Sequence, residues 1–429
     1  MRFEQKVAFA FLSDLGMRRK NNEDASAVRL CADIEDFRKR GHLLVVADGM
    51  GGHAVGELAS KLCVETLPHT FLRSRDGTAS VALVEAVVES NRVIHTHGMQ
   101  NREFMRMGTT CTALALTPQG AMVGHVGDSR CYRIRRDRID QLTFDHSLQW
   151  EMQRDSKNKG LPSDYAEHKN VITRSLGPEK DVEVDLEGPT PILPGDVYVL
   201  CSDGLSGPVA DEEIGAIARD LSPAAACQLL VHLANLRGGA DNSTVIIARI
   251  GDPPANVTPI EIDMPPEEAP VPSWGSMAAW WAVAGVFAAG VALLITRNLW
   301  PGIILTGGGG VALGALVLAS LRRKNTTTVP AGEGSGTTIS RPHRTAVALS
   351  SQELCTLIAE TEGALRQQAL TEKWKVDWSQ HQSAIAAATS AVKEKRYGRA
   401  VRDYARAVDV LIDEGLLTHR KTADAVSRN

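Results

Sequence analysis

Short apolar runs and polar breaks alternate through residues 1–251 of this chain. Val7–Leu12, Leu43–Ala47, Cys111–Leu116, Ala121–Val126, Val197–Cys201 and Ser243–Ile250 have the length and β-rich content of strands. Apolar positions recur at helical spacing over Val55–Thr66, Ser80–His95, Asp211–Arg219 and Pro223–Leu236. Strands and helices do not alternate one for one. The pattern therefore predicts an α+β arrangement, with sheets packed on each other and helices outside, rather than a doubly wound parallel sheet.

The pattern then changes. Residues 252–276 are rich in proline and acid and read as an extended linker. Residues 277–321 are almost wholly apolar. Met277–Ile295 carries no charge, Thr296–Asn298 breaks the run, and a second uncharged stretch, Ile303–Leu321, ends at Arg322-Arg323-Lys324. About 20 apolar residues span a bilayer as a helix, so two membrane helices joined by a tight turn are expected, with a single span or a buried soluble hairpin as the alternatives. Trp280, Trp281 and Trp300 suit the interfaces, and the basic cluster after the second span places both flanking regions in the cytoplasm. Residues 322–344 form a basic, then low-complexity, linker. Residues 345–429 are helical in tendency. Trp374 and Trp378 lie one helical turn apart. Val401, Tyr404, Val408 and Leu411 make an amphipathic stripe, and Ser383–Gly415 reads as two helices turning near Lys395–Gly398. The phrase from Lys395 to Val408 resembles a single tetratricopeptide helix pair, where stacked repeats generally need about three. A small helical bundle is the plainer reading; a partner-binding module is the other.

The net charge of −4 gives no footprint for nucleic acid. The seven cysteines are widely spaced, with no C-x-x-C pair, which fits a reducing cytosol. No cysteine has an arginine six positions on, so the cysteinyl-phosphate type of loop is absent. No G-K-[ST] phosphate loop is present either. Val7–Leu12 is too short for a signal-peptide core and reads as a first strand.

The chemistry lies in seven short motifs: NNEDA (Asn21–Ala25), DGMGGH (Asp48–His53), GTT (Gly108–Thr110), GDSR (Gly127–Arg130), ITRSLG (Ile172–Gly177), SDGL (Ser202–Leu205) and DNST (Asp241–Thr244). Glu23, Asp48, Asp128, Asp203 and Asp241 stand in or beside strand-like or glycine-turn sequence. Several carboxylates are not buried together unless a positive charge neutralises them, and the fitting neutraliser for an all-oxygen set is a hard divalent cation such as manganese or magnesium. Each motif alone is weak, because Asp-Gly is usually only a turn. Seven in order are not.

In order and spacing these motifs resemble the metal-dependent 2C-type serine/threonine protein phosphatases of the bacterial branch. The resemblance covers about residues 5–250 and includes GELAS (Gly56–Ser60) and RGGADNSTV (Arg237–Val245). It implies a four-layer fold, an antiparallel β-sandwich with helices on both outer faces. It also implies hydrolysis of phosphoserine and phosphothreonine by direct attack of a hydroxide bridging two ions, with no phosphoenzyme. Asp48 and the backbone of Gly49 match the metal-bridging pair, and Asp203 and Asp241 match ligands of the two core ions. Glu23 matches a water-mediated ligand and Asp24 a supporting or weakly ligating carboxylate. Asp128 matches the ligand of a third, weaker ion shared with Asp203. Arg19 matches the arginine that holds the substrate phosphate, a role suited to a planar, permanently charged donor.

One departure concerns the proton donor. Some family members have histidine two residues after the bridging aspartate, where this chain has Met50. His53 is the candidate general acid; it could equally cap the following helix or face solvent, with a metal-bound water supplying the proton. Asp145-His146-Ser147 opens a polar stretch to Asn170 that in the family is a flap beside the site. Thr173, Arg174 and Ser175 read as support for the fold. The expected partners are phosphorylated proteins, a cognate Ser/Thr kinase or its substrates, membrane lipid through 277–321, and a protein bound by 345–429, with no nucleic acid. The resulting picture is a multi-pass enzyme of the inner membrane, with its catalytic domain (residues 1–251) and helical tail in the cytoplasm. The rival from another class is a catalytically silent phosphatase-like module that docks partners at the membrane.

Overall fold

In a computed structural model, residues 1–426 are described except 53, 75–76, 102–103, 105–106, 152–170 and 252–341, and beyond Ile412 only the backbone of the last helix. The strands, in chain order, are β1 (Val7–Asp14), β2 (Asp24–Arg29), β3 (His42–Met50), β4 (Gly108–Thr109), β5 (Cys111–Thr117), β6 (Gly120–Val126), β7 (Arg130–Arg135), β8 (Arg138–Gln141), β9 (Asp185–Thr190), β10 (Val197–Cys201), β11 (Ser243–Ile250) and β12 (Arg344–Val347). The helices are α1 (Ile34–Lys39), α2 (Ala54–Arg73), α3 (Ala79–Gln100), α4 (Asp203–Ser206), α5 (Asp211–Asp220), α6 (Pro223–Leu236), α7 (Gln352–Thr371), α8 (Trp378–Lys393) and α9 (Tyr397–Val426).

Two antiparallel sheets form, ordered β1-β11-β10-β7-β8-β12 and β2-β3-β5-β6-β9, with β4 paired to β3. The alternation of side chains along the strands explains the layers. In β3, Leu43, Val45 and Ala47 face α2 and α3, whereas Leu44 and Val46 face the other sheet. In β10 and β11, Tyr198, Leu200, Ile246 and Ala248 fill the space between the sheets, while Val197, Val199, Val245 and Ile247 face α5 and α6. Both faces of the central strands are thus covered, which is why they read as continuous apolar runs. The expected α+β sandwich with outer helices is observed.

The six strands and four helices read from residues 1–251 are present, α2 and α3 extending beyond the expected Val55–Thr66 and Ser80–His95. Strands β2, β7, β8 and β9 carry too much charge or are too short to stand out in sequence.

The tail differs from expectation at its start. It does not begin as helix: Arg344–Val347 extends the first sheet by pairing antiparallel with β8, Arg344 opposite Gln141 and Thr345 opposite Asp140. The described residues of the tail and of the first 251 residues form one compact unit. Leu354, Ile358, Val401, Val408 and Leu411 share one apolar core with Ile139, Ile214, Ile217 and Leu230. The stripe of Val401, Tyr404, Val408 and Leu411 is buried as expected, and the turn near Lys395 is present, with Lys395 at φ 57°. Trp374 and Trp378 do not share a helix. Lys373, at φ 55°, ends α7, and Trp374 folds back to donate its N–H to the Ala369 carbonyl at 2.9 Å. The two uncharged runs at 277–321 lie outside the described residues. Among the described residues no helix is long and apolar enough to cross a membrane.

Candidate metal and phosphate site

The acids meet where the ends of the two sheets face each other. Asp24 and Asp48 are direct partners across β2 and β3. Asp203 opens α4 immediately after β10, Asp241 precedes β11, and Asp128 sits in the turn between β6 and β7. Backbone bonds fix each carrier. The Asp48 N–H donates to Thr110 Oγ1 (2.9 Å), and the Thr110 N–H and Thr109 hydroxyl donate to the Asp48 carbonyl (2.8 and 2.9 Å). Ser202 Oγ donates to Asp24 Oδ2 (2.8 Å) and accepts from the Thr244 N–H (2.9 Å). Asn242 accepts the Glu23 N–H (2.9 Å) and donates to the carbonyls of Leu15 and Asn21, tying the NNEDA loop to the DNST loop. Thr110, Ser202 and Asn242 were within the motifs, but sequence assigned them no task. Their polarity beside the acids was the available signal.

Two glycines allow the close approach. A Cβ on Gly49 would collide with the carbonyls of Gly56 and Glu23, and one on Gly204 with the carbonyl of Asn242. The Glu23 carboxylate lies against Gly56 at the start of α2, and its carbonyl accepts from Ser60 Oγ at 2.6 Å. Arg19 donates to Asp241 Oδ2 at 2.6 Å. Burial works against the Arg19 charge, but the carboxylates of Asp241, Glu23 and Asp48 more than offset it and raise its pKa.

The carboxyls are held away from their usual ionisation. Burial, then repulsion from Asp24, Asp203, Asp128 and Asp241, pushes Asp48 well above the ordinary range. Burial pushes Asp24 up to about 7, against the hydrogen bonds from Thr244 and Ser202. Burial and the charges of Asp203 and Asp145 push Asp128 up to about 8. Asp203 is also raised, by burial and Asp241, although a hydrogen bond from Asp48 works the other way. Without a cation the cluster holds protons; a bound divalent ion inverts that preference. Among the described residues no three His, Cys, Asp or Glu side chains converge tightly enough to grip an ion as they stand. The donor set nonetheless fits a hard cation. It is all oxygen, and the buried Asp24 Oδ1 and Asp128 Oδ1 have no hydrogen-bond partner among the described residues.

Behind Asp128 lies a second polar layer. Asp145 pairs with Arg130 through Nε (2.9 Å) and Nη2 (2.7 Å). The Gly127 N–H donates to His146 Nδ1 (3.0 Å), His146 Nε2 faces Asp185 (3.0 Å), and Arg174 donates to Asp185 (2.6 Å). Arg174 thus supports the fold as expected. The proposed general acid His53 and residues 152–170 of the expected flap lie outside the described residues. Met50 ends β3, opposite Gly108.

A family profile described as "Protein phosphatase 2C" matches residues 20–229. The protein phosphatase PhpP of Streptococcus pneumoniae is 31% identical over 252 residues, covering 57% of this chain and 98% of PhpP. The serine/threonine phosphatase stp of Listeria innocua is 34% identical over 247 residues, covering 55% of this chain and 93% of stp.

This chain belongs to the protein phosphatase 2C family.

Solved structures agree. That of the Mycobacterium tuberculosis serine/threonine phosphatase PstP has a TM-score of 0.50 at 33% identity, covering 57% of this chain and 99% of that one. That of the Streptococcus agalactiae serine/threonine phosphatase has a TM-score of 0.51 at 31% identity, covering 57% of this chain and 100% of that one. The PstP catalytic domain has also been solved in complex with two manganese ions, at 33% identity and a TM-score of 0.48. This 2C-type phosphatase therefore carries a tail for which PhpP, matched almost end to end, has no length left.

Proposed function

We propose that this chain removes phosphate from phosphoserine and phosphothreonine in proteins, using two manganese or magnesium ions. The observation that carries this reading is the convergence of Asp24, Asp48, Asp128, Asp203 and Asp241, the first four of which are pushed above the ordinary carboxylate range by burial and by the charges of neighbouring acids. Asp48 and the Gly49 carbonyl would hold the two ions, with Asp203 and Asp241 as further ligands and Glu23 and Asp24 in support. Asp128 and Asp203 would hold a third, weaker ion. When bound, the ions supply a water acidic enough to attack phosphorus directly and a clamp on the phosphoryl oxygens, so no phosphoenzyme is needed.

The chain's own residues do the rest. Arg19 stands at the edge of the cluster, nearly half exposed, paired to Asp241. Its guanidinium can turn from that carboxylate to two oxygens of an incoming phosphate, orienting the monoester. His53 is the candidate donor of a proton to the departing serine or threonine oxygen. The uncharged runs at 277–321 anchor the enzyme to a membrane with both described parts on the cytoplasmic side, where it meets a Ser/Thr kinase or that kinase's substrates.

The test is hydrolysis of a phosphothreonine peptide by the full chain after metal removal. Activity returns with manganese, disappears with chelator, and is nearly abolished in Asp203→Asn. Equal hydrolysis by wild type and Asp203→Asn would sink the reading. Absence of turnover in the manganese-loaded wild type would favour a silent docking module. Membrane fractionation of the chain with and without 277–321 tests the anchor.

A further inference from the structure

The strand that the tail adds to the first sheet ends beside the polar layer behind Asp128. Pairing of β12 with β8 sets Arg344 opposite Gln141, and the His343 N–H donates to the Gln141 carbonyl at 2.9 Å. The Gln141 amide donates in turn to Asp145 Oδ1 (2.8 Å) and to the Thr143 carbonyl (3.0 Å). Asp145 is the carboxylate that grips Arg130. The Arg344 guanidinium lies 5.5 Å from the centre of the Trp150 ring, and the Arg130 guanidinium lies at the same distance from that ring. Arg344 is also 3.7 Å from Asp211, which accepts from the Tyr132 hydroxyl at 2.8 Å. Tyr132 accepts from Arg130 at 3.1 Å. Arg130 therefore sits in a frame of Asp145, Tyr132, Asp211 and Trp150; Arg344 contacts Asp211 and Trp150 directly, and the tail strand reaches Asp145 through Gln141. Arg130 is two residues from Asp128.

We propose that Arg344 is a positioning residue of the phosphatase site, holding Arg130 and through it the Asp128 turn. The inference rests on the reading of Asp128 as a carboxylate for a weakly bound ion. Its physical basis is economical. A guanidinium is planar and stacks on indole while still pairing with a carboxylate, which an ammonium does not reproduce. The contact is made by backbone pairing that fixes Arg344 in register, so its entropy cost is met by the strand. In this chain, whatever binds or shifts the tail acts on the site through one side chain.

The test uses the full chain as wild type, Arg344→Ala and Arg344→Lys, with Val347→Ala as control, since Val347 is exposed and keeps the strand pairing. Manganese binding is followed by the magnetic resonance signal of the free ion, independently of turnover. The kinetics of p-nitrophenyl phosphate and a phosphothreonine peptide are measured beside it. Arg344→Ala weakens the weakest manganese site about threefold and lowers kcat with both substrates, at a melting temperature within about 2 °C of wild type. Arg344→Lys recovers less than half of the loss, and Val347→Ala matches wild type. Unchanged manganese binding in Arg344→Ala overturns the proposal, as does full rescue by lysine or a loss that tracks a fallen melting temperature. If the wild type hydrolyses neither substrate, the phosphatase reading fails, while the manganese titration still decides the role of Arg344.

Discussion

The acid cluster and the tail interface are opposite solutions within one compact unit. The cluster gathers carboxyls that repel one another, held in place by short bonds from Thr110, Ser202 and Asn242. It costs stability until a cation arrives. The tail interface is apolar, built from Leu354, Ile358, Val401 and Leu411 against Ile214 and Leu230, and it contributes stability without touching any reacting group. The contrast separates the proposed site of activity from the source of stability, and the role proposed for Arg344 would join them. Substitutions in the first region should change turnover with little effect on folding, and those in the second the reverse.

The largest effect expected is on the chemistry. Asp48→Asn lowers kcat on a phosphothreonine peptide by about a thousandfold or more, because a preorganised charge at the reacting phosphoryl group is lost. Its melting temperature without metal stays at or above that of wild type, since one buried carboxyl has been neutralised; a fall of many degrees would break the comparison. Next, Ile358→Ala, at a fully buried position in the tail, lowers the unfolding free energy of the whole unit by about 3 kcal/mol in urea. Loss of tail structure alone, in a separate transition, would show that the shared core does not couple the two parts.

A third prediction concerns pH. Burial lowers His42 from 6.5 to about 4. Its Nδ1 accepts the Cys31 N–H at 3.0 Å, which requires a neutral ring. The unfolded chain therefore binds the proton first, and stability is lost as pH falls from about 6.5 to about 4, by roughly 2–3 kcal/mol. His42→Gln should flatten that part of the stability profile, and an unchanged slope would contradict the assignment. The smallest effect belongs to Arg19. Arg19→Ala raises KM for the peptide about tenfold and leaves manganese affinity nearly unchanged, reflecting charge-assisted bonds to the substrate phosphate. A loss of manganese affinity equal to the loss in KM would make Arg19 part of the metal cradle instead.

These two regions also differ in how far they can be read from sequence. The acids are legible because the chemistry demands particular residue types beside glycine, so Asp48-Gly49, Asp203-Gly204 and Asp241-Asn242 announce themselves. Their supports are less so. Ser202 and Thr110 are polar residues with many ordinary uses, and only the register of β2, β3 and β11 gives them a task. The central strands were legible from apolar content, but β7 (RCYRIR) was not, because its arginines pair with Asp145, Asp140 and Asp196 that come from elsewhere in the chain. The tail was read correctly as amphipathic helix and incompletely as architecture. A stripe such as Val401–Leu411 says that one face is buried, not against what. The strand Arg344–Val347 is four residues long and gains its identity only from the free edge of β8.

The central claim is that the acid cluster exists to hold divalent ions. The most direct measurement is a calorimetric titration of manganese into the metal-stripped full chain, with Asp48→Asn titrated alongside. The account predicts two tightly bound ions per wild-type chain, protons released as they bind, and loss of both sites in Asp48→Asn. No tight manganese binding to the folded wild type, or the same stoichiometry in Asp48→Asn, would contradict it.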